Sequence, residues 1–200
     1  MERASQPLAA SLRATCPMLD AQTLDDIVQG FRRMLVARGE SLLRQGELWR
    51  SAIWIEKGAV RLYFTRRDGR EFNKNFYLEG ALICPLTPAM WGEPSLFDMS
   101  TLEAGVIWRA DAGHLRERLA ACGVWPTLRA EFLSRLVTQK LQREHDLLAL
   151  DGRRRYEAFC VQHPQLAARI PLHQLASYLG LTDVSLSRIR HRATGSTAPG

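Results

Sequence analysis

Three textures of apolar spacing follow one another along the chain. Up to about residue 36, Leu24, Ile27, Val28, Phe31, Met34 and Leu35 recur at intervals of three and four, the spacing of one buried helix face. From Glu40 to Trp108 the pattern breaks into short runs rich in β-branched and aromatic residues, divided by glycines. These are Ser41 to Arg44, Ile53 to Ile55, Ala59 to Thr65, Glu71 to Leu78 and Leu102 to Trp108, and they predict strands. Asp68-Gly69 centres a hairpin, because this pair tolerates the positive φ of a tight turn. Before it Val60, Leu62 and Phe64 alternate with polar neighbours; after it Phe72, Phe76 and Leu78 share a face with Lys74. Several short strands of this kind predict a small antiparallel β-roll or jelly roll. Past Arg109 the helical period returns, and no Pro or Gly occurs between Thr127 and Asp151. That segment predicts a helix of about six turns. Its apolar stripe is wider than one roll can cover, and Leu133, Leu136, Val137, Leu141, Leu147 and Leu148 are expected to meet a parallel copy of the same helix. The alternative is a long helix lying on its own domain.

Asp151 is placed to cap a further helix running from Arg153 to Val161, which His163-Pro164 ends. The segment from Ile170 to Arg192 is the most informative. Two helices meeting at a sharp turn need a small residue at the crossing, a turn residue tolerant of positive φ, and apolar residues filling the angle. Ala176 and Gly180 meet the first two needs, and Leu175, Leu179, Leu181, Leu186 and Ile189 the third. Thr182 is placed to cap the second helix, and Asp183 sits in its first turn, where a carboxylate suits the dipole. With Leu186 and Ile189 inward, that helix presents Val184, Ser185, Ser187 and Arg188, then Arg190, His191 and Arg192. Arg188 can fork onto guanine, Ser185 can bond a base or phosphate, and Val184 can touch a thymine methyl. The trailing basic residues suit phosphates. Helix-turn-helix geometry thus predicts DNA contacts at Thr182, Val184, Ser185, Ser187, Arg188, Arg190, His191 and Arg192.

Charge sharpens this reading. The 200 residues carry 27 Lys plus Arg against 21 Asp plus Glu, a net charge of +6. The last 50 hold seven Arg against three acids, so +4 of the surplus lies in the final quarter. The longest stretches without a charged side chain, Gly80 to Gly92 and Ile170 to Thr182, are each 13 residues, shorter than the roughly 20 a membrane helix needs. With no apolar leader at its start, the chain is expected in the cytoplasm. Cys16, Cys84, Cys122 and Cys160 are isolated, and the five His show no ligand pairing, so no metal is expected. Trp49, Trp54, Trp91 and Trp108 either line an apolar pocket or fill the core.

Taken together, several segments resemble the Crp/Fnr family of bacterial transcription regulators. They are Arg38 to Glu47, Ile55 to Tyr63, the long helix, and Ala176 to Thr182 leading into Leu186 to Arg190. The resemblance covers roughly residues 20 to 192. It implies an α+β fold: an N-terminal cyclic-nucleotide-binding-like β-roll, a dimerisation helix and a C-terminal winged helix-turn-helix. The expected organisation is a helical segment over 1–36, the roll over 37–112, a helical region with the dimerisation helix over 113–150, the DNA-binding domain over 151–195, and a tail over 196–200. The implied partners are double-stranded DNA, a second copy of the chain and RNA polymerase.

The departures are informative. Relatives that bind cyclic nucleotides share a phosphate cassette with a Gly-Glu and, further on, an Arg. Here the stretch from Asn75 to Trp108 holds no Lys, Arg or His, but does hold Glu79, Glu93, Asp98 and Glu103. A buried phosphate there would meet repulsion instead of charge-assisted bonds, so neither cAMP nor cGMP is expected as a cofactor, and any other effector is left open. The cysteine cluster of oxygen-sensing relatives is also missing, and Val184 stands where many relatives have a base-reading Glu. Two other classes compete. A cupin-like enzyme needs clustered His ligands, and no His precedes His114, so no enzyme is expected. A protein-interaction module would tolerate charge reversal on the second helix.

Overall fold

The computed structural model describes residues 2–195, so the tail expected over 196–200 lies outside the described residues. Helices α1 (Glu2–Thr15) and α2 (Ala21–Gln29) open the chain. The helical period read through Met34 and Leu35 stops earlier than the spacing predicts. Residues Arg32–Val36 form strand β1, paired antiparallel to the last strand of the roll, with Leu35 largely exposed. Gly30 closes α2, and sheet pairing then overrides a pattern that fits either period.

The roll continues with β2 (Ser41–Leu43), β3 (Ser51–Lys57), β4 (Val60–Thr65), β5 (Glu71–Tyr77), β6 (Leu82–Ile83), β7 (Asp98–Thr101) and β8 (Gly105–Asp111), with α3 (Pro88–Gly92) between β6 and β7. Two four-stranded antiparallel sheets result, in the orders β1-β8-β3-β6 and β2-β7-β4-β5. Where Leu102 to Trp108 reads as one strand, Leu102 to Ala104 turn the chain between β7 and β8. Strand β3 is buried on both faces. Ile53 and Ile55 enter the roll interior with Val60, Leu62 and Met99, whereas Ala52 and Trp54 join α1 and α2 in a second core. The Trp54 indole N–H donates to the Ser11 hydroxyl at 3.1 Å, and that of Trp108 to Glu56 at 2.6 Å. Of the tryptophans weighed as pocket or core, Trp49, Trp54 and Trp108 are thus core residues.

The hairpin forms as expected, but its faces differ. A register shift at Leu62/Tyr63 makes Lys74 an extra residue on β5, and such a bulge rotates the side chains beyond it. Phe64 and Phe72 end up exposed, Asn73 and Phe76 turn outward to the C-terminal helices, and Lys74 with Tyr77 turns toward the roll and the long helix.

Helices α4 (Ala112–Ala121) and α5 (Trp125–Ala149) follow. Pro126 occupies the first turn of α5, where its missing N–H costs nothing, so the helix has 25 residues and about seven turns. Its start, Trp125 and Leu128 with Phe132 and Leu133 beside them, packs on the α1–α2 core. Then come α6 (Gly152–Gln162), α7 (Pro164–Arg169), α8 (Leu172–Leu179) and α9 (Asp183–Gly195). Among the described residues no strand follows β8, so the wing expected beside the helix-turn-helix has no counterpart there. No helix among them is long and apolar enough to cross a membrane.

Candidate nucleic-acid interface

The C-terminal unit is held by a small core of its own, in which Phe159, Ile170, Leu175, Ala176, Leu179 and Leu186 are buried and Phe76 of β5 joins them. Gly180 sits at φ +67°, and its N–H reaches the carbonyls of Ala176 and Ser177. The Leu181 N–H also returns to the Ala176 carbonyl, at 2.9 Å, which closes α8 with the left-handed turn that glycine adopts without strain. Thr182 caps α9: its hydroxyl accepts the Ser185 N–H at 3.1 Å and donates to the Ser185 hydroxyl at 2.8 Å. Asp151 likewise caps α6, accepting the Arg154 N–H at 2.9 Å. A residue not singled out by pattern completes the packing. A Cβ on Gly152 would lie 2.7 Å from a Leu181 methyl and 3.7 Å from one of Ile189, so α6 approaches the turn this closely only because Gly152 has no side chain.

Among the residues expected to meet DNA, Val184, Ser185, Arg188, His191 and Arg192 are exposed. They recur at the offsets of one helix face, opposite the fully buried Leu186. Thr182 is exposed at the head of the helix but engaged in its cap. Ser187 is half-buried, and Arg190 is exposed but lies nearer the Leu186 side of the helix, beside Tyr156 of α6. Ser187 is thus set back from the outward row, while Arg190 stays at the surface on another side of the helix.

The six leucine and valine positions assigned to a dimer contact also divide. Val137, Leu141 and Leu148 are exposed, spaced as the outer seam of a coiled coil. Leu133 packs on the first core, and Leu136 and Leu147 turn to their own chain, lining a cavity between α5 and the C-terminal helices. A stripe that reads as one face in sequence serves two faces because α5 is sandwiched along part of its length.

The carboxylates expected around a phosphate are not gathered at one point. Glu79 receives Arg169 of α7 in a two-pronged bond at 2.7 and 3.0 Å, together with the Gly58 N–H at 2.8 Å, and Glu103 meets the same guanidinium. The Arg169 bond holds the Glu79 carboxyl down to about 2. Asp98 instead accepts the Thr65 hydroxyl at 2.7 Å and the Gln45 N–H at 3.1 Å. Glu79 and Glu103 are thus neutralised by Arg169 and Asp98 stands apart, so the carboxylates do not gather to repel a phosphate, although β6, α3 and their loops carry no cation. A second cavity of about 240 Å³ between the roll and α5 is lined by Trp49, Leu62, Tyr77, Phe97 and Met90, with Lys74 and Arg135 at its wall. Both cations lie outside the stretch in which a phosphate cassette is sought.

A profile of the cyclic nucleotide-binding domain matches residues 33–122. The chain is 27% identical over 184 residues to the cyclic AMP receptor protein of Thermus thermophilus, covering 86% of this chain and 82% of that one. It superposes on FixK2 from Bradyrhizobium japonicum with a TM-score of 0.73 at 18% identity, over 85% of this chain and 87% of that one. On the c-di-GMP responsive global regulator CLP of Xanthomonas campestris the TM-score is 0.70 at 14% identity, over 90% and 96%. At these identities the two structures establish the fold alone. The chain is thus similar to the cyclic nucleotide-binding domain over residues 33–122 and shares the fold of these two structures over most of its described length.

Proposed function

We propose that the chain is a homodimeric, sequence-specific DNA-binding transcription regulator that reads a two-fold symmetric operator with α9. The carrying observation is the outward row Val184, Ser185, Arg188, His191 and Arg192 on a helix fixed from behind by Leu186 and capped by Thr182. Small neutral residues ahead of a guanidinium let the helix approach base edges, and Arg188 forks onto guanine O6 and N7. Arg192 and His191, further along, meet phosphates. The Ser185 hydroxyl already accepts from Thr182, which leaves its own proton for an outside acceptor.

Dimerisation rests on the exposed Val137, Leu141 and Leu148 of α5, which a second α5 would cover. Pairing there sets two copies of α9 to meet half-sites about one helical turn, ~34 Å, apart. The relative from Thermus thermophilus is named for cyclic AMP. In this chain Asn75 to Trp108 offers no cationic side chain, and cAMP is not the effector. RNA polymerase is the partner that promoter-bound dimers meet.

Selection of bound sequences from random DNA at fixed salt tests the reading. A dyad motif is expected, and Arg188→Ala should cost about 1–3 kcal/mol at one base position in each half-site. Leu141→Glu should give a monomer in sedimentation that binds the operator weakly. No enriched motif, with Arg188→Glu behaving as the unaltered protein in every DNA assay, supports the protein-interaction module instead. Saturable micromolar heat on titration with cAMP would overturn the effector statement alone.

A further inference from the structure

Between β5, the middle of α5 and helices α6 to α8 lies a cavity of about 410 Å³, partly open to solvent, a volume typical of small-molecule sites. Its wall carries the cations Lys74, Lys140, Arg143 and Arg155 and a single carboxylate, Asp146. Among the described residues none of the four cations forms an ion pair. Asp146 is engaged by its own helix, accepting from Gln142 at 2.8 Å and lying 3.2 Å from the His145 ring. Arg143 gives one terminal nitrogen to the Asn73 and Tyr178 carbonyls, at 3.2 and 3.0 Å, and stacks 4.5 Å over the Tyr178 ring. Arg155 donates to the Leu147 carbonyl at 3.1 Å. Both leave a buried Nε–H with no acceptor.

Lys74 is the least comfortable of the group. Its amine stands 4.6 Å over the Phe97 ring, and burial, reinforced by Lys140 and Arg143, pulls it down to about 8. Burial also lowers Lys140, with Arg143 adding to it. Like charges drawn out of water without a counter-ion repel one another far more strongly than solvated ones, and unmet buried donors add to the cost. The Phe97 and Tyr178 rings offset part of this cost, but no carboxylate does.

We propose that this cavity binds a small organic anion bearing two or more negative charges on an apolar or aromatic body. The charged end sits among Lys74, Lys140 and Arg143, and the body lies against Leu136, Phe159 and Leu179. The charge requirement separates this ligand from a cyclic nucleotide, whose phosphate is a monoanion. Because the wall is drawn from the roll, α5 and the C-terminal unit together, one bound molecule contacts all three. The site does not depend on the DNA reading.

Calorimetric titration of the full chain with phenyl phosphate, with phthalate and with neutral benzamide tests it. At least one dianion should give saturable heat with one site per chain, and benzamide none. Binding of phenyl phosphate alone identifies a phosphate ester, and binding of phthalate alone a dicarboxylate. Lys74→Met and the exposed Lys140→Gln should each weaken binding roughly tenfold or more, the share of a charge-assisted hydrogen bond. Near pH 8 the heat should vary with buffer ionisation enthalpy, because an anion beside Lys74 favours its protonated form and draws in a proton. Silence from both dianions at millimolar concentration overturns the site. So does equal binding of benzamide, or unchanged affinity in a folded Lys140→Gln chain.

Discussion

Two groups of positive charge in this protein stand in opposite surroundings. Arg188 and Arg192 project into solvent from α9, whereas Lys74 and Arg143 are half-buried at a cavity, with the more exposed Lys140 beside them, and none has a carboxylate partner. Solvated cations cost the fold little and suit an extended polyanion whose counter-ions they displace. Desolvated ones weaken the fold and suit a small ligand that neutralises them at short range. The net +6 of the chain is silent about this division, because a charge count weighs both groups alike.

Salt should separate the two groups of charge by the largest margin. For six to ten phosphate contacts, operator affinity should fall about 10³ to 10⁵ between roughly 50 and 200 mM salt. Dianion affinity in the cavity should change by less than about tenfold, since buried pairs are screened far less. Equal salt slopes in anisotropy and calorimetry would erase the distinction. Next in size is the support behind each surface. Leu186→Ala should cost about 2–5 kcal/mol in urea unfolding, because a fully buried side chain leaves a cavity. Val184→Ala, on the exposed side of the same helix, should stay within about 0.5 kcal/mol.

Lys74 supplies a third test, with the opposite sign. Its folded value of about 8 lies below the ordinary 10.5. The folded state therefore holds this proton less tightly than the unfolded chain, and stability should rise as pH climbs from about 8 toward 10.5. Lys74→Met should stabilise the unliganded protein by about 1–2 kcal/mol at pH 7, an advantage that fades above pH 8. A methionine variant less stable than the parent would mean that the amine has a partner in solution. The smallest effect belongs to the partly exposed Arg169–Glu79 pair. Glu79 has a folded value of about 2, below the ordinary 4.5, so its contribution is complete above pH 4.5 and is lost as pH falls toward 2. Glu79→Gln should flatten that part of the stability profile and leave neutral-pH DNA binding unchanged.

Much of the candidate DNA interface was legible in sequence because its requirements are local. A left-handed turn at Gly180, a cap at Thr182 and leucines at fixed offsets lie within one short segment, and each is met as read. The departures all arise where distant segments meet. Met34 and Leu35 fit a helix by spacing, yet pair with Ile107 and Val106 in a sheet. The extra residue on β5 reverses the sides on which Lys74 and Phe76 lie, and a bulge carries no alternation signal. Leu136 and Leu147 share a period with Val137 and Leu141 but lie on the side of α5 that its own chain covers.

Sequence by itself determined the roll hairpin, the long helix, the helix-turn-helix and the family resemblance, since period, capping and turn chemistry are properties of neighbours along the chain. Only the tertiary structure decided which cations face water and which face one another. That outcome depends on desolvation, and desolvation is set by β5, α5 and α6 closing over the same space from positions some 80 residues apart.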